Sequence, residues 1–526
     1  MAAPTLTAPA PGQRPSHKWL ITLAVMLGAT LEILDSSIVN VALPHMQGSF
    51  SASVDQITWV LTSYLVANGI MIPMTGWISS RFGRKRYFLV SVTVFVFASA
   101  LCGMAQSLTQ MVIFRLMQGI AGAAMIPSSQ AIMMETFPPN EQQMAMATWG
   151  LGIIAAPIFG PTLGGWITDN LNWRWNFYIN LPLGLLAIVM VYIFVHDPPY
   201  LKRRKGNVDY LGIAYLVLAL GLLQIVLDRG QRSDWFSAPW VRYFTVMSVI
   251  SMIMLIVHEL RVPDPILDLR IFKIPAFAMS VSIVAVMVSV FYAVNLLNPL
   301  FLQELLGYTA WKAGLAVLPR GLGAGLCMLL VGQLSRFGFE TRPLMGMGFA
   351  AATYAIWRMS GWDLQVSMES IMLPILLFGC GSMGWPLISA GALADVPKER
   401  IGYAASLYNM MRNTGAAIGI SLVTNLLTSR EQIHQSYLVE HFSVFDAWKL
   451  NERAPMMPGS PHFNLIPGLT MGNQQGLGMI YAEIRAQSTL LAYNDVYRML
   501  ALAMAVLIPT FLFFKRPRTG GGGGAH

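Results

Sequence analysis

The stretch WLITLAVMLGATLEILDSSIVNVA, residues 19–42, is an apolar run long enough to cross a lipid bilayer as a helix. A helix rises about 1.5 Å per residue, so about 20 apolar residues cross a hydrocarbon core about 30 Å thick. Only two carboxylates, Glu32 and Asp35, interrupt the run. The residues before it are polar and rich in Pro and Ala, unlike a secretory signal peptide. We therefore expect a retained membrane span.

Similar apolar runs repeat along the whole chain. The 526 residues are 55% hydrophobic and 11% charged, with a mean hydropathy of +0.56, whereas soluble domains carry about 25% charged residues. We predict an all-α polytopic membrane protein with about fourteen transmembrane helices. The predicted spans are 19–42, 57–79, 87–105, 109–133, 144–167, 177–195, 208–227, 239–257, 275–298, 310–334, 343–361, 368–394, 402–427 and 495–514.

The net charge of +9 sits in short loops between apolar runs, which is a topology signal and argues against nucleic-acid binding. Clusters of Lys and Arg fall repeatedly on one side of the predicted membrane, and this enrichment marks the cytoplasm. Both termini are therefore expected in the cytoplasm. The three cysteines, Cys102, Cys327 and Cys380, lie in apolar segments and are expected to be packing residues. The basic clusters are Arg81–Arg86, Lys202–Lys205, Arg336 with Arg342, Lys398 with Arg400, and Lys515–Arg518.

The spacing of the runs predicts a division of the chain into segments. A polar stretch at 196–208 follows the sixth span, and a Pro-broken stretch at 428–492 precedes the last one, with a possible amphipathic helix at 474–489. GWISSRFG at 76–83 recurs faintly as GQLSRFG at 332–338, as internal repeats of transporters do. The predicted segments are a cytoplasmic tail (1–18), a six-helix bundle (19–195), a linker with two extra transmembrane helices (196–274), a second six-helix bundle (275–514) that includes a long periplasmic loop (428–492), and a cytoplasmic Gly-rich tail (515–526).

Ionisable side chains inside spans are the candidate functional residues. Asp35 and Glu32 are three residues apart and face the same side of a helix, and intramembrane carboxylates usually face a cavity or a partner. Such a group could exchange a proton across the membrane, or it could be a constant structural ion pair. Arg115 cannot deprotonate and needs an internal partner, for which Asp35 is the obvious candidate. Arg412 and Arg320 are candidates for the substrate cavity or for charge pairing, although Arg320 could instead snorkel to an interface.

The fifth span combines glycines and prolines in a way that predicts a bent, tightly packed helix. Gly160 and Gly164 form a small-xxx-small face, while Pro157 and Pro161 each remove a backbone hydrogen bond. With Gly165, these residues are candidates for gating, and simple helix packing fits them almost as well. The basic loop after the second span is expected to set topology and also to bridge helices during the conformational switch. Its motif residues are Gly76, Arg81, Gly83, Arg84 and Lys85.

Several segments together resemble the major facilitator superfamily, and specifically the EmrB-type exporters of its 14-helix drug:proton antiporter branch. The matching segments are LDSSIVNVALP (34–44), GWISSRFGRKR (76–86), RLMQG (115–119), GLGIIAAPIFGPTLGG (150–165), WRWNFYINLP (173–182), LDRG (227–230), DWF (234–236) and RNTGAAIG (412–419). One departure is Ser80, which stands where the loop motif usually has an acidic residue. If that acidic residue locks one state, the lock must differ in this chain.

The resemblance implies a secondary active transporter, not an enzyme, that exports hydrophobic or amphipathic small molecules by alternating access. It implies a proton gradient as the driving force, with no cofactor and no metal. From their charge and their position inside spans, we expect Asp35, Glu32 and Arg115 to be the proton-coupling residues. The location implied is the bacterial inner membrane. The implied partners are protons, the lipid bilayer, a periplasmic adaptor (EmrA-type) and an outer-membrane channel, and not nucleic acid.

Two other interpretations stay open. One is a dedicated exporter of one metabolite class, such as a siderophore, a fatty acid or a bile salt. The other is a membrane-embedded sensor or enzyme, although no paired catalytic residues at a membrane face support it. GCGSMG at 379–384 fits GxGxxG, but it lies in an apolar span without a preceding strand, so we expect helix packing there. The sequence has no GxxxxGK[ST] phosphate-binding loop.

Overall fold

The structure, a computed structural model, describes most of the chain as a series of helices. The described residues are 17–138, 141–197, 208–336, 340, 342–440 and 474–513. Predictions for most of the 1–18 tail, for residues 198–207 of the linker and for the 515–526 tail therefore lie outside the described residues.

The helices before residue 195 correspond to the first six predicted spans. Helices α5 and α6 together form one span, as do α8 and α9, and α2 is a single turn at a loop. The helices are α1 (Lys18–Phe50), α2 (Val54–Ile57), α3 (Trp59–Phe82), α4 (Arg84–Met104), α5 (Leu108–Gly122), α6 (Met125–Thr136), α7 (Gln142–Asn170), α8 (Trp175–Tyr178) and α9 (Asn180–Phe194).

The remaining helices follow the predicted order as well. A π-helical turn, Phe301–Leu305, extends α12, and α15 and α16 together form one span. The helices are α10 (Tyr210–Arg229), α11 (Pro239–Arg261), α12 (Pro275–Leu300), α13 (Ala310–Arg336), α14 (Arg342–Met359), α15 (Met368–Cys380), α16 (Gly384–Ala394), α17 (Ile401–Glu440) and α18 (Gln474–Ala505).

Eleven helical segments of the described chain are long and apolar enough to cross a membrane. The other three predicted spans, 57–79, 343–361 and 402–427, coincide with α3, α14 and α17, which are helical but more polar. Interior helices of a bundle can be more polar because they face protein or a cavity and not lipid. The prediction of an all-α polytopic membrane protein is confirmed.

The predicted loop at 428–492 is largely helical where the structure describes it, and the segment 474–489, predicted as a helix, lies in α18. Helix α17 continues to residue 440 and α18 starts at residue 474, while residues 441–473 lie outside the described residues. Polar contacts hold the two extensions together. Glu431 accepts a 2.8 Å hydrogen bond from Thr489, and His434 Nε2 lies 2.9 Å from Asp495. Hydropathy misses these turns because their polar side chains pair with each other and not with lipid.

Helices α10 and α11 form a pair beside the main body. At the end of α10 far from the basic loops, Thr62 of α3 donates a 2.5 Å hydrogen bond to Asp228. Gln231, just after α10, donates a 3.0 Å hydrogen bond to Thr428 of α17. The pair is thus attached both to a helix before residue 195 and to one after residue 275.

Helices α7 and α1 are packed closely through the glycines of the fifth span. A Cβ atom added to Gly160 would lie 2.6 Å from Ser37 Cβ, and one added to Gly164 would lie 3.0 Å from Ile38 Cγ2. A Cβ at Gly165 would meet only Val41 Cγ1, at 3.7 Å. The helix remains continuous through both of its prolines. The structure therefore places Gly160 and Gly164 in a helix contact, and their role in gating stays a prediction.

We expect Gly160→Ala to destabilise the protein while Gly165→Ala is tolerated. Overpacking a close contact costs about 1–3 kcal/mol, whereas a 3.7 Å contact at Gly165 is ordinary van der Waals distance. Thermal unfolding in detergent measures the difference, with Gly165→Ala as the matched control. Equal midpoints for the two variants would contradict the close packing of α1 on α7.

The helices before residue 195 (the early helices) and those after residue 275 (the late helices) meet at the end that carries the basic loops. Gln130 of α6 accepts a 2.5 Å hydrogen bond from Asn409 of α17, and both are fully buried. A Cβ at Gly332 of α13 would lie 3.3 Å from Ala147 Cβ of α7. Residues 401–409 of α17 are all buried, whereas Leu422, nearer its other end, is 52% exposed. We call the contacts of α3, α6 and α7 with α13 and α17 at this end the inner seam, and it is closed.

Candidate functional site

Asp35 lies at the centre of a sealed polar network on α1. Its Oδ2 atom accepts a hydrogen bond from Arg115 at 2.6 Å, and its Oδ1 atom accepts from Gln118 at 2.9 Å and from Asn180 at 2.7 Å. All four side chains are fully buried. The structure therefore confirms the predicted pairing of Asp35 with Arg115. A carboxylate with one cationic and two neutral donors is well compensated for its burial.

The Arg115 guanidinium is fixed on several sides besides Asp35. Its Nε donates to the Val60 carbonyl at 3.1 Å and Nη1 also donates to Gln118 Oε1 at 2.8 Å, while the ring of Tyr64 lies 4.3 Å from its Cζ. Contact with an aromatic face stabilises a cation, particularly where water is excluded. Three helices, α1, α3 and α5, thus meet around one buried cation.

Gln118 and Asn180 are network members that sequence reasoning missed. Both lie within segments that carry the family resemblance, RLMQG and WRWNFYINLP, and this was the available signal. Asn180, on α9, also donates a 2.9 Å hydrogen bond to Ser99 of α4, so α9 and α4 raise the number of helices around the network to five. Neutral amides inside spans show neither a periodic sequence pattern nor a charge, so their place in the network can be recognised only from the folded structure.

Glu32 lies near Asp35 on α1 but in a different environment. Its Oε1 atom accepts a 2.9 Å hydrogen bond from Asn68 of α3, whereas Oε2 has no hydrogen-bond partner within the described part of the chain. Its exposed fraction is 6%, against 0% for Asp35. Arg412 of α17 is close enough to interact with it electrostatically. Glu32 therefore lies within reach of a charge on a late helix, whereas all hydrogen-bond partners of Asp35 lie on early helices.

The two other predicted arginines lie on late helices and away from Asp35. Arg412 is half-buried, with its guanidinium 5.7 Å from the ring of Trp385 on α16. Arg320 is half-buried on α13, near Tyr292 of α12, and Gly379 packs against its backbone. Only Arg412 is brought near a predicted carboxylate, and the substrate role of both arginines stays a prediction.

The glycines of GCGSMG pack against neighbouring helices, as expected. A Cβ at Gly381 would lie 2.7 Å from Ala352 Cβ, and one at Gly384 would lie 2.9 Å from the Phe349 ring. These contacts leave no space for a phosphate. Within the described residues, no cluster of three or more His, Cys, Asp or Glu side chains could hold a metal ion.

The basic loop motif is built into the inner seam. Gly76 packs against α17, since a Cβ there would lie 2.6 Å from the Tyr403 Cα. Gly83 has a φ of +92°, which favours glycine, and a Cβ there would meet Asp197. Arg84 forms a buried ion pair with Glu135 of α6.

Two further residues complete the motif. The Lys85 backbone N–H donates a 2.8 Å hydrogen bond to Asp197, which fixes the start of α4 against the end of α9. The Arg81 guanidinium lies 5.5 Å from the ring of Trp77. The motif residues therefore make contacts within the early helices and, through Gly76, with α17.

Ser80 also contacts α17 across the inner seam. Its hydroxyl lies 3.2 Å from the Tyr403 hydroxyl, at hydrogen-bond distance. A neutral hydrogen bond thus occupies the place of the usual acidic residue. Neutral hydrogen bonds are about half as strong as charge-assisted ones, so this contact is weaker than a carboxylate contact would be.

Comparison with known proteins agrees with this architecture. Residues 25–420 match the model of the Major Facilitator Superfamily. The multidrug export protein EmrB of Escherichia coli (strain K12) is 35% identical over 514 residues, which is 96% of this chain and 98% of that protein. The fatty acid resistance protein FarB of Neisseria gonorrhoeae is 32% identical over 512 residues, 96% of this chain and 97% of that protein.

A solved transporter structure shares the fold. The structure of the proton:xylose symporter XylE aligns with a TM-score of 0.58 at 16% identity, and the alignment covers 94% of this chain and 97% of that one. This match shows the shared fold. The family model and the relatives that match over nearly the whole chain identify a multi-pass membrane protein that works as a secondary transporter and not as an enzyme. The chain belongs to the Major Facilitator Superfamily, and within it to the relatives of the EmrB multidrug export proteins.

Proposed function

We propose that this chain exports hydrophobic or amphipathic small molecules in exchange for protons. The observation that carries the proposal is the Asp35–Arg115 pair, a charged pair buried within spans of a transporter that is related to EmrB over 96% of its length. Intramembrane ionisable residues mark ion pathways because burying a charge in a membrane is expensive. Protonation of Asp35 would neutralise the anion of this pair, and the hydrogen-bond network around it would then favour another arrangement.

Alternating access fits the closed inner seam. In this proposal the early helices (19–195) and the late helices (275–514) form two bundles that rock around a central site, with α10 and α11 as the extra pair. Substrate binds between the bundles near Glu32, Arg412 and Arg320. The proline and glycine residues of α7 then belong to the moving parts, and the proton gradient supplies the energy without a cofactor.

The test is dye export from proteoliposomes of purified protein with an imposed proton gradient. Inward proton movement should drive export, and the electrical part contributes about 2.3 kcal/mol per charge per 100 mV. A protonophore that dissipates the proton gradient should abolish net movement of the dye against its own concentration gradient. Dye movement against its concentration gradient that continues unchanged without a proton gradient would exclude proton coupling.

A dedicated exporter of one metabolite class is the second candidate. It is favoured by one observation, the 32% identity to a protein named for fatty acid resistance. Substrate profiling in a pump-deficient strain separates the two candidates. Protection against several chemically unrelated compounds supports multidrug export, whereas protection against fatty acids alone supports the dedicated exporter.

We place the protein in the bacterial inner membrane with both termini in the cytoplasm, because the basic loops lie at one end of the helices. The α17–α18 extensions then project into the periplasm, where a periplasmic adaptor (EmrA-type) would link the chain to an outer-membrane channel. Ile433 and Tyr481 on these extensions are 55% and 56% exposed. Contiguous patches of exposed apolar side chains mark protein interaction sites, and these two residues belong to adjoining parts of the two extensions, since Gln435 lies 3.5 Å from the Tyr481 hydroxyl.

Charge substitution on these extensions tests the adaptor contact. In the double variant Ile433→Glu/Tyr481→Glu, copurification of the adaptor should be lost while dye export in proteoliposomes, which contain no adaptor, is retained. The retained export shows that the variant is folded. An adaptor that still copurifies would refute docking at this surface.

A further inference from the structure

Tyr64 of α3 lies between the two acidic sites of α1. Its exposed fraction is 3%, and its ring lies 4.3 Å from the guanidinium carbon of Arg115, the cation that binds Asp35. The Tyr64 backbone carbonyl packs against Gly119 of α5, and this contact fixes the position of the Tyr64 backbone, from which the ring extends. The ring therefore belongs to the surroundings of the Asp35–Arg115 pair.

The hydroxyl of Tyr64 points towards the other acidic site. A Cβ atom added to Gly122 would lie 3.0 Å from this hydroxyl and 3.4 Å from Glu32 Cγ, so both groups border the same space. The hydroxyl is close enough to interact electrostatically with Glu32, Asp35 and Arg115. One side chain thus reaches both sites.

Tyr64 and Glu32 each have a buried polar atom that can form a further hydrogen bond. Within the described chain, neither the Tyr64 hydroxyl nor Glu32 Oε2 has a hydrogen-bond partner, although both atoms are buried. The backbone of Ile126 lies near the Glu32 carboxylate but does not meet hydrogen-bond geometry with Oε2. Asn68 binds the other oxygen, at 2.9 Å. Burying a polar group without a partner is costly, so a rearrangement that joins these two atoms is favoured.

We propose that Tyr64 is a positioning residue that couples Glu32 to the Asp35–Arg115 pair. In the arrangement seen here, its ring holds Arg115 against Asp35. When Glu32 is ionised, the Tyr64 hydroxyl donates a hydrogen bond to Oε2, and the ring moves relative to the Arg115 guanidinium. A change at Glu32 therefore alters the stability of the Asp35–Arg115 pair. Two sites can be coupled in this way only if an element that they share makes different contacts in two states.

A double-mutant cycle on ligand binding tests this coupling. The proteins are wild type, Glu32→Gln, Tyr64→Phe and the double variant, and Phe keeps the ring on Arg115 while removing the hydroxyl. The probe is ethidium or a fluorescent fatty acid, whichever binds wild type more tightly, and the dissociation constant is measured in detergent at several pH values. In the wild-type background, we expect Glu32→Gln to change the dissociation constant by about fivefold or more and to alter its pH dependence. In the Tyr64→Phe background, the dissociation constant should change by less than about twofold.

The control is Tyr493→Phe, which removes another buried tyrosine hydroxyl without a hydrogen-bond partner, on α18. In this background, Glu32→Gln should have its full effect. Additive changes in the cycle, or an unchanged constant in Glu32→Gln alone, would overturn the proposal. The inference rests on the proposed function, but binding in detergent needs no gradient. Failure of proton-driven export in wild type would therefore count against the proposed function alone, and the cycle would still decide the role of Tyr64.

Discussion

Asp35→Asn should reduce gradient-driven export to the level of liposomes without protein. Asparagine nearly matches the shape of aspartate but cannot bind and release a proton, so it cannot take part in the exchange. The measurement is dye flux in proteoliposomes with an imposed proton gradient, alongside dye binding to the same protein in detergent. Binding should persist, because the site proposed for the substrate lies near Glu32 and Arg412.

The substitution also leaves Arg115 buried without its anion, which costs about 3–5 kcal/mol in typical proteins. The variant Asp35→Asn/Arg115→Gln removes both charges and should recover most of the stability lost in Asp35→Asn. It should not recover export. Normal gradient-driven export by Asp35→Asn would show that Asp35 is structural, and proton coupling would then have to involve Glu32 or another site.

A disulfide across the inner seam should stop transport reversibly. In a background without the native cysteines Cys102, Cys327 and Cys380, the substitutions Ala147→Cys and Gly332→Cys place two thiols on α7 and α13. Their Cβ atoms would be 3.3 Å apart, close to the 3.5–4.5 Å usual for a disulfide. Oxidation should abolish export because the seam can no longer open, and reduction should restore it.

Each single-cysteine variant treated with the same oxidant is the control, and both should keep exporting. Cross-linking is scored by the loss of free thiols. If the fully oxidised double variant exports as fast as the reduced one, the inner seam need not open during the cycle. In that event the rocking of the two bundles would be the wrong account of the mechanism.

The pairing of Asp35 with Arg115 could be predicted from sequence because opposite charges inside apolar runs have few alternative partners. The contacts of the Gln118 and Asn180 amides with Asp35 could not be predicted, since a neutral side chain inside a span does not require a charged partner. The helical division of the chain followed from runs of about 20 apolar residues, which a bilayer demands. The helical extensions of α17 and α18 escaped this criterion because Glu431 and His434 are stabilised by contacts between the two helices and not by lipid.

The contact of Ser80 with Tyr403 shows another limit of sequence reasoning. The missing acidic residue was visible in the motif, but its replacement partner lies more than 300 positions along the chain. Gln130 and Asn409 lie 279 positions apart, and their contact likewise depends on how the early and late helices meet. Local patterns predict which residues are buried in a span, whereas partners across the seam depend on the complete fold.

Proton counterflow distinguishes antiport from uncoupled transport. Proteoliposomes carrying a pH-sensitive dye would be given a substrate gradient and no initial proton gradient, with wild type compared with Asp35→Asn. We expect downhill substrate movement to drive protons in the opposite direction in wild type and to drive none in Asp35→Asn. Substrate movement by wild type without any proton movement would contradict antiport.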